Sequence, residues 1–333
     1  MMNTDIWIYI ETENGKALNV GYELINAARP IAAQKNSKIV ALVVGKNILK
    51  AAQDAIGYGA DSAIILDADV YASYSTDAYA EAITYLINKY DPETMMFGAT
   101  TNGRDMAPRI ACRVSTGLTA DCTDIGIDEA SGCVRWTRPT FGGNLMADII
   151  CPERRPQMGT VRPGVFRKAE FDPSRKGNIV DETANIHIDP EHIRTKLLEH
   201  VDVVAEAVNL EDADVIVAGG RGIGSVDNIH LLEELAEVTG GTVACSRPVA
   251  EAGWMNHNRQ VGQSGKTVSP SVYFAIGISG AVQHTAGMQG SGTIIAINSD
   301  PEAPIFDIAD YGIVGDLNAI VPALTKKLKE RKM

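Results

Sequence analysis

Five residues, Val272-Tyr273-Phe274-Ala275-Ile276, run directly into Gly277, Ser279 and Gly280 and then into a helix-like stretch. A short apolar run bounded by glycine predicts a strand buried on both faces. Followed at once by a glycine turn and a helix, it predicts the junction of an open α/β sheet, where backbone N–H groups face an anion such as a pyrophosphate. Two polar, glycine-containing runs flank this strand, residues 260–266 and 277–284, so whatever binds here meets both.

The rest of the chain fits such a sheet. With 333 residues and 45% hydrophobic content, it is too long for one core and divides into two α/β domains, 1–208 and 209–333, with the boundary near Asn209. Candidate strands at 6–10, 39–44, 63–66 and 95–98 alternate with helical stretches at 21–35, 48–57 and 77–90. That is the βαβ signature of a parallel sheet with right-handed crossovers. Beyond Thr116 the alternation fails, and pieces around Ile125, 134–137, 147–151 and 157–162 read as antiparallel additions to this N-terminal α/β domain. Residues 166–211 are irregular and charged. A strand at 214–218, a glycine loop at 219–224 and a helix at 228–239 then begin a second doubly wound sheet of the Rossmann or flavodoxin kind.

Charge and cysteine content exclude several classes. A formal net charge of −12 disfavours nucleic acid and anionic membranes, which need clustered Lys and Arg. No apolar run reaches membrane-spanning length and no basic leader precedes Ile6, so a cytoplasmic protein without membrane insertion is expected. Cys112, Cys122, Cys133, Cys151 and Cys245 are scattered, without Cys-x-x-Cys spacing, and read as reduced thiols. His187 and His192 lack the i, i+4 spacing of two ligands on a helix, so no metal site is expected.

The candidate binding residues sit at strand ends of the C-terminal sheet. The loop at 219–224 departs from Gly-x-Gly-x-x-Gly, and Thr242–Cys245 ends in Ser246-Arg247 instead of the carboxylate that fixes an NAD ribose. An ordinary nicotinamide site is thereby disfavoured. Arg221, Arg247 and residues 260–264 converge on one sheet edge. Gln283 and His284 are expected in the first turns of a helix, where the macrodipole and a protonatable imidazole both favour an anion. Asn298 and the pair Asp316-Leu317 end the next two strands and suit ribose or adenine hydrogen bonds.

Taken together, the runs 260–266, 273–284, 296–306 and 310–317 strongly resemble the alpha subunit of electron transfer flavoproteins, and looser similarity at 98–105 and 117–122 extends this over nearly the whole chain. The resemblance implies a heterodimer with a beta subunit and one FAD in the C-terminal domain. Matched by position, it places Arg247 over the isoalloxazine and the Ser264 hydroxyl near flavin N5. Many relatives carry threonine at the latter position, so the hydroxyl is kept. Gln283 and His284 approach the ring, His284 beside its O2 edge, with Gln260, Val261, Gly262 and Gln263 completing that wall. Ser279, Gly280 and Ala281 hold the pyrophosphate, and Val282 belongs to the same cofactor-binding run. Arg221, Ser246, Asn298, Asp316 and Leu317 complete the pocket.

Flavin chemistry fits these residue types, because negative charge gathered on the pyrimidine side of a reduced ring is stabilised by cations or strong donors. Arg247 and His284 are the expected donors. At an effective dielectric of about 20, a cation about 4 Å away is worth on the order of 4 kcal/mol before desolvation. The resemblance further implies exchange of electrons with an acyl-CoA dehydrogenase. Residues 142–166 look more like members from anaerobes that oxidise NADH and split electrons between that partner and ferredoxin or flavodoxin. In that segment Arg154, Arg155 and Arg162 either decorate a face or pack against the beta subunit. Three other readings stand beside this one: a non-bifurcating carrier accepting electrons from acyl-CoA dehydrogenases, a stand-alone NAD(P)-dependent oxidoreductase, and a nucleotide-binding regulatory module built on the N-terminal sheet.

Overall fold

In strand β1 (Ile6–Ile10) every residue is buried, and alternate side chains enter different cores. Ile6, Ile8 and Ile10 join one apolar cluster, while Trp7 and Tyr9 join another. This is what a continuous apolar strand must do when helices cover both faces of a parallel sheet. The computed structural model describes residues 4–140, 145–195, 197–199, 210–211 and 213–332. The chain divides into two compact units, 1–200 and 201–333. The expected boundary near Asn209 lies outside the described residues.

In the first unit a small ribbon of β2 (Thr12–Glu13) and β3 (Lys16–Ala17) leads into α1 (Asn19–Lys35), followed by β4 (Ile39–Gly45), α2 (Leu49–Gly57), β5 (Ser62–Asp67), α3 (Thr76–Tyr90), β6 (Thr94–Gly98) and α4 (Thr101–Arg113). Local signals end and begin these helices as the sequence dictates. Asn36 and Asp91 close α1 and α3 in the left-handed conformation, and the Thr100 hydroxyl caps α4 by accepting from the Gly103 N–H at 3.0 Å.

Beyond α4 come β7 (Leu118–Cys122), β8 (Asp124–Ile127), β9 (Val134–Thr140), β10 (Leu145–Ile149), β11 (Gln157–Val161) and β12 (Asn178–Asp181). The seven-stranded sheet has the order β12-β5-β4-β1-β6-β11-β7, and its strands pair in parallel. The three-stranded sheet β10-β9-β8 is the expected antiparallel addition. The expectation at 157–162 is corrected, however: β11 is a buried parallel strand between β6 and β7. It follows its neighbour β7 after an excursion through the antiparallel β8–β10 strands instead of a helix, so the βαβ rhythm that identifies parallel strands is missing there. The charged stretch after Phe166 also contains an unexpected strand, β12, which lengthens the sheet beside β5.

The end of this unit is tied back by charge. Asp77, buried in α3, accepts from the Arg194 backbone N–H at 3.1 Å and from Arg194 Nη2 at 2.9 Å, and it pairs with Arg109. The Arg194 hydrogen bonds hold its carboxyl down to about 2 from an ordinary 3.8. A depressed folded-state pKa stabilises the fold above the unfolded value and is lost as the acid form takes over. Urea unfolding of the full chain is therefore expected to show an Asp77-dependent loss of stability between pH 3.8 and about 2. Asp77→Asn should flatten that segment of the profile, and an unchanged profile would remove this tether.

The second unit contains β13 (Val215–Gly219), α5 (Ile229–Thr239), β14 (Thr242–Cys245), α6 (Arg247–Glu251), β15 (Val272–Ile276), α7 (Val282–Thr285), β16 (Thr293–Asn298), β17 (Tyr311–Val314) and α8 (Leu317–Lys332). The sheet is parallel with order β14-β13-β15-β16-β17. The chain starts at β13, moves one way to β14 and then crosses to β15. The reversal opens a crevice at the carboxyl ends of β13 and β15. Phe274 and Ile276 pack into the apolar cluster that also holds Leu232 and Leu235 of α5, whereas Tyr273 and Ala275 point to the opposite layer. Among the described residues no helix is long and apolar enough to cross a membrane.

Candidate functional site

The crevice holds a cavity of about 830 Å³, with loops from the ends of β13, β14, β15 and β16 around it. Two backbone locks build it. The Gly220 N–H donates to Ile276 O at 2.8 Å and the Gly222 N–H to Gly277 O at 3.0 Å, joining the loops after β13 and β15. The Gln263 N–H donates to Gln283 O at 2.7 Å, joining the two polar runs that stand far apart in sequence. Within the first run, the Val261 N–H donates to Cys245 O at 2.9 Å and Lys266 N–H to Gln260 O at 2.8 Å. The run therefore closes into a tight loop hung from the end of β14.

Thirteen of the expected residues line this cavity: Arg221, Ser246, Arg247, Gln260, Val261, Gly262, Gln263, Ser264, Ser279, Ala281, Gln283, His284 and Asn298. Gly280, Val282, Asp316 and Leu317 do not. Gly280 shapes the turn beneath it, with φ of 89° and an added Cβ only 2.2 Å from Ile305 N. Val282 is exposed, Leu317 packs in the core, and Asp316 accepts from the Asn318 N–H at 2.9 Å at the start of α8. Pro248, Asp300, Ala303 and Pro304 line the cavity without having been singled out. The sequence run around Pro304 carried that signal, but nothing local showed that it would fold over Ser279.

The charge around the cavity differs from expectation. The segment after Gly280 forms only the four-residue α7, so little macrodipole can accumulate at its start. His284 is buried, and its pKa falls to about 4 because burial disfavours the charged ring, with the Val261 backbone opposing only in part. At neutral pH the expected cation is a neutral imidazole. The positive charge comes instead from Arg221 and Arg247, against one lining carboxylate, Asp300. Arg247 stands at the exposed rim in an ion pair with Glu251, Nε to Oε1 2.7 Å, four residues on. An exposed pair of this kind is worth only about 0.3–0.5 kcal/mol, so the guanidinium can exchange it for an anionic ligand.

Two buried polar atoms at this cavity have no hydrogen-bond partner, Ser246 Oγ and His284 Nδ1. Native proteins seldom strand such groups, and both belong to residues that line this cavity. The Ser264 hydroxyl accepts from Gln260 Nε2 at 3.1 Å, which orients it at the wall. Asn298 is committed locally, donating through Nδ2 to Ile278 O at 2.9 Å and accepting from the Asp300 N–H at 3.0 Å. A diphosphate, an aromatic ring and a few hydrogen-bonding edges fit this combination of cations, orphaned donors and glycine backbone.

A second cavity, of about 670 Å³, opens at the carboxyl ends of β1 and β4 in the first unit. Its walls include Glu11, Glu13, Tyr9 and Tyr79. Burial raises the Glu11 pKa, and the side chain accepts from Asn102 Nδ2 at 2.9 Å. Two carboxyl groups at the switch point suit a nucleotide phosphate poorly, which weighs against the regulatory-module reading.

The fold and the first cavity define a two-unit α/β protein whose C-terminal unit carries a cleft suited to a dinucleotide. Residues 6–187 match the electron transfer flavoprotein domain, and residues 209–289 match the electron transfer flavoprotein FAD-binding domain. The chain is 50% identical over 328 residues to the electron transfer flavoprotein subunit alpha of Thermoanaerobacterium thermosaccharolyticum, covering 98% of both. It is 47% identical to protein FixB of Clostridium saccharobutylicum, covering 98% of this chain and 96% of that one. It is also 44% identical to the acryloyl-CoA reductase electron transfer subunit beta of Anaerotignum propionicum, with 98% and 96% covered. The chain belongs to the electron transfer flavoprotein alpha-subunit family, and its cofactor is FAD.

Proposed function

We propose that this chain pairs with an electron transfer flavoprotein beta subunit and carries electrons to or from an acyl-CoA dehydrogenase, with NADH as donor and bifurcation to ferredoxin or flavodoxin. The observation that carries the reading is the C-terminal cavity, where two clamped loops leave Ser246 Oγ and His284 Nδ1 buried without partners. The relative named for acryloyl-CoA reductase supports a partner acting on an acyl-CoA. Two other relatives come from Megasphaera elsdenii and Clostridium acetobutylicum, and the kinship with anaerobes favours bifurcation over simple carriage.

FAD supplies the one-electron chemistry when bound. The residues of this chain bind and orient it: Ser279 and Ala281 at the pyrophosphate, Arg221 and Ser246 at the adjoining edge, and Arg247, Gln263, Ser264, Gln283 and His284 around the ring. Gln260 holds the Ser264 hydroxyl in place, and Val261 and Gly262 shape the wall. Asn298 steadies Ile278 from below. Arg247 is the ring-side cation.

An anaerobic NADH titration of the purified heterodimer, followed by visible absorbance, tests the proposal. Bleaching by NADH that reduces ferredoxin only when an acyl-CoA dehydrogenase and its acyl-CoA acceptor are present is the expected result. Failure of NADH to reduce the heterodimer would leave a carrier fed by the dehydrogenase alone.

A further inference from the structure

Tyr273 is fully buried, and its hydroxyl lies 3.0 Å from Nε2 of His284. Among the described residues the phenol has no second hydrogen-bond partner. A neutral imidazole has one N–H and one lone pair, so two arrangements are available. If Nε2 carried the proton, the Tyr273 hydrogen and the bare Nδ1 lone pair would both be stranded in the interior. If the phenol donates to Nε2, its hydrogen is satisfied and only the Nδ1–H is left over. The second arrangement strands one group instead of two, and leaving a buried polar group unpaired is the expensive outcome.

The two-residue period of β15 aims Tyr273 at this layer, away from α5 and α8. The ring of His284 is reached from that side, while Nδ1 is the ring atom left buried without a partner in a residue that lines the cavity. The Val261 backbone interacts with the ring in the sense that favours a bound proton, yet at a geometry short of a hydrogen bond to Nδ1.

We propose that Tyr273 is a positioning residue: its hydroxyl donates to Nε2, holds His284 in the Nδ1–H tautomer, and so presents a neutral N–H donor to an acceptor atom of FAD. The proposal rests on the reading that His284 faces the cofactor. Without the phenol, both tautomers become available, and the Nε2–H form that free imidazoles prefer would turn a lone pair toward the same acceptor. Charge is not involved, because either tautomer is neutral.

The test uses the heterodimer, labelled with 15N-histidine and depleted of FAD, with His284 assigned by the loss of its signals in His284→Gln. The wild-type protein is expected to show the Nδ1–H pattern, and Tyr273→Phe a mixture with Nε2–H together with about a fivefold to tenfold weaker FAD affinity. An Nε2–H pattern in the wild type would overturn the proposal with no variant required. So would weakened FAD binding in Tyr273→Phe with the tautomer unchanged, which would mark a packing role. A changed tautomer with unaltered FAD affinity would uphold Tyr273's hold on the ring and overturn the placement of His284 against FAD. None of these outcomes depends on NADH, the beta-subunit flavin or an acyl-CoA dehydrogenase.

Discussion

Gly280→Ala is expected to lower the stability of the C-terminal unit by about 3 kcal/mol and to empty the protein of FAD. The residue sits at φ 89°, where an L side chain is strained, and a Cβ would come within 2.2 Å of Ile305 N and 2.6 Å of Ile305 Cα. Both are backbone atoms, so no rotamer change relieves the overlap. The segment that would have to move is itself held by the Ile305 N–H donating to Ser279 O at 3.1 Å. Displacing it displaces Ser279 at the cavity wall. Urea denaturation and the visible flavin absorbance of the purified heterodimer measure the two effects. Full FAD content with native stability would show that this turn has room that its geometry denies.

Arg162→Ala is the second large effect, about 2–3 kcal/mol of the first unit's stability, below the roughly 3–5 kcal/mol of a fully buried broken pair because Asp121 is partly exposed. Arg162 is 6% exposed, and its Nη2 meets Asp121 Oδ2 at 2.6 Å while Nε lies 3.2 Å from Oδ1. Its backbone N–H donates to Cys122 O at 2.9 Å, which fixes the end of β11 beside β7. The expectation that Arg162 merely decorates a face is therefore corrected. Its guanidinium is engaged inside its own unit, and Arg155 likewise pairs with Glu93 at 2.9 Å. Truncating Arg162 leaves Asp121 without its closest partner, whereas Asp121→Asn with Arg162→Met removes both charges and should recover much of the loss. Thermal unfolding of the single and double variants distinguishes the two. Equal losses in both would mean that packing, not the ion pair, carries the effect.

Much of this architecture can be read from short-range pattern. β1, β4, β5 and β6 are apolar runs at even spacing with helical stretches between them, and local physics suffices for each. β11 resists the same treatment, because a strand's partner and direction are set by residues distant in sequence. Its burial between β6 and β7 depends on Leu118 and Thr119, forty residues earlier by register with Met158 and Gly159. β12 is hidden for a related reason: only its place beside β5 at the sheet edge turns a charged stretch into a strand.

Within the cavity, the sequence alone determined which residue types gather at the ends of β13, β14 and β15, since strand ends and glycine turns are local features. The family and the cofactor came instead from the resemblance carried by the runs 260–266, 273–284, 296–306 and 310–317. Tertiary structure decided the charge and direction of those residues. Burial made His284 a neutral ring, the Glu251 pair held Arg247 at the rim, and the start of α8 claimed Asp316. Desolvation and hydrogen bonding depend on what surrounds an atom in space, and for His284 the surroundings include Tyr273 eleven residues away. No spacing along the chain states whether an imidazole will be solvated, which nitrogen will bear its proton, or what will be left for a ligand to satisfy.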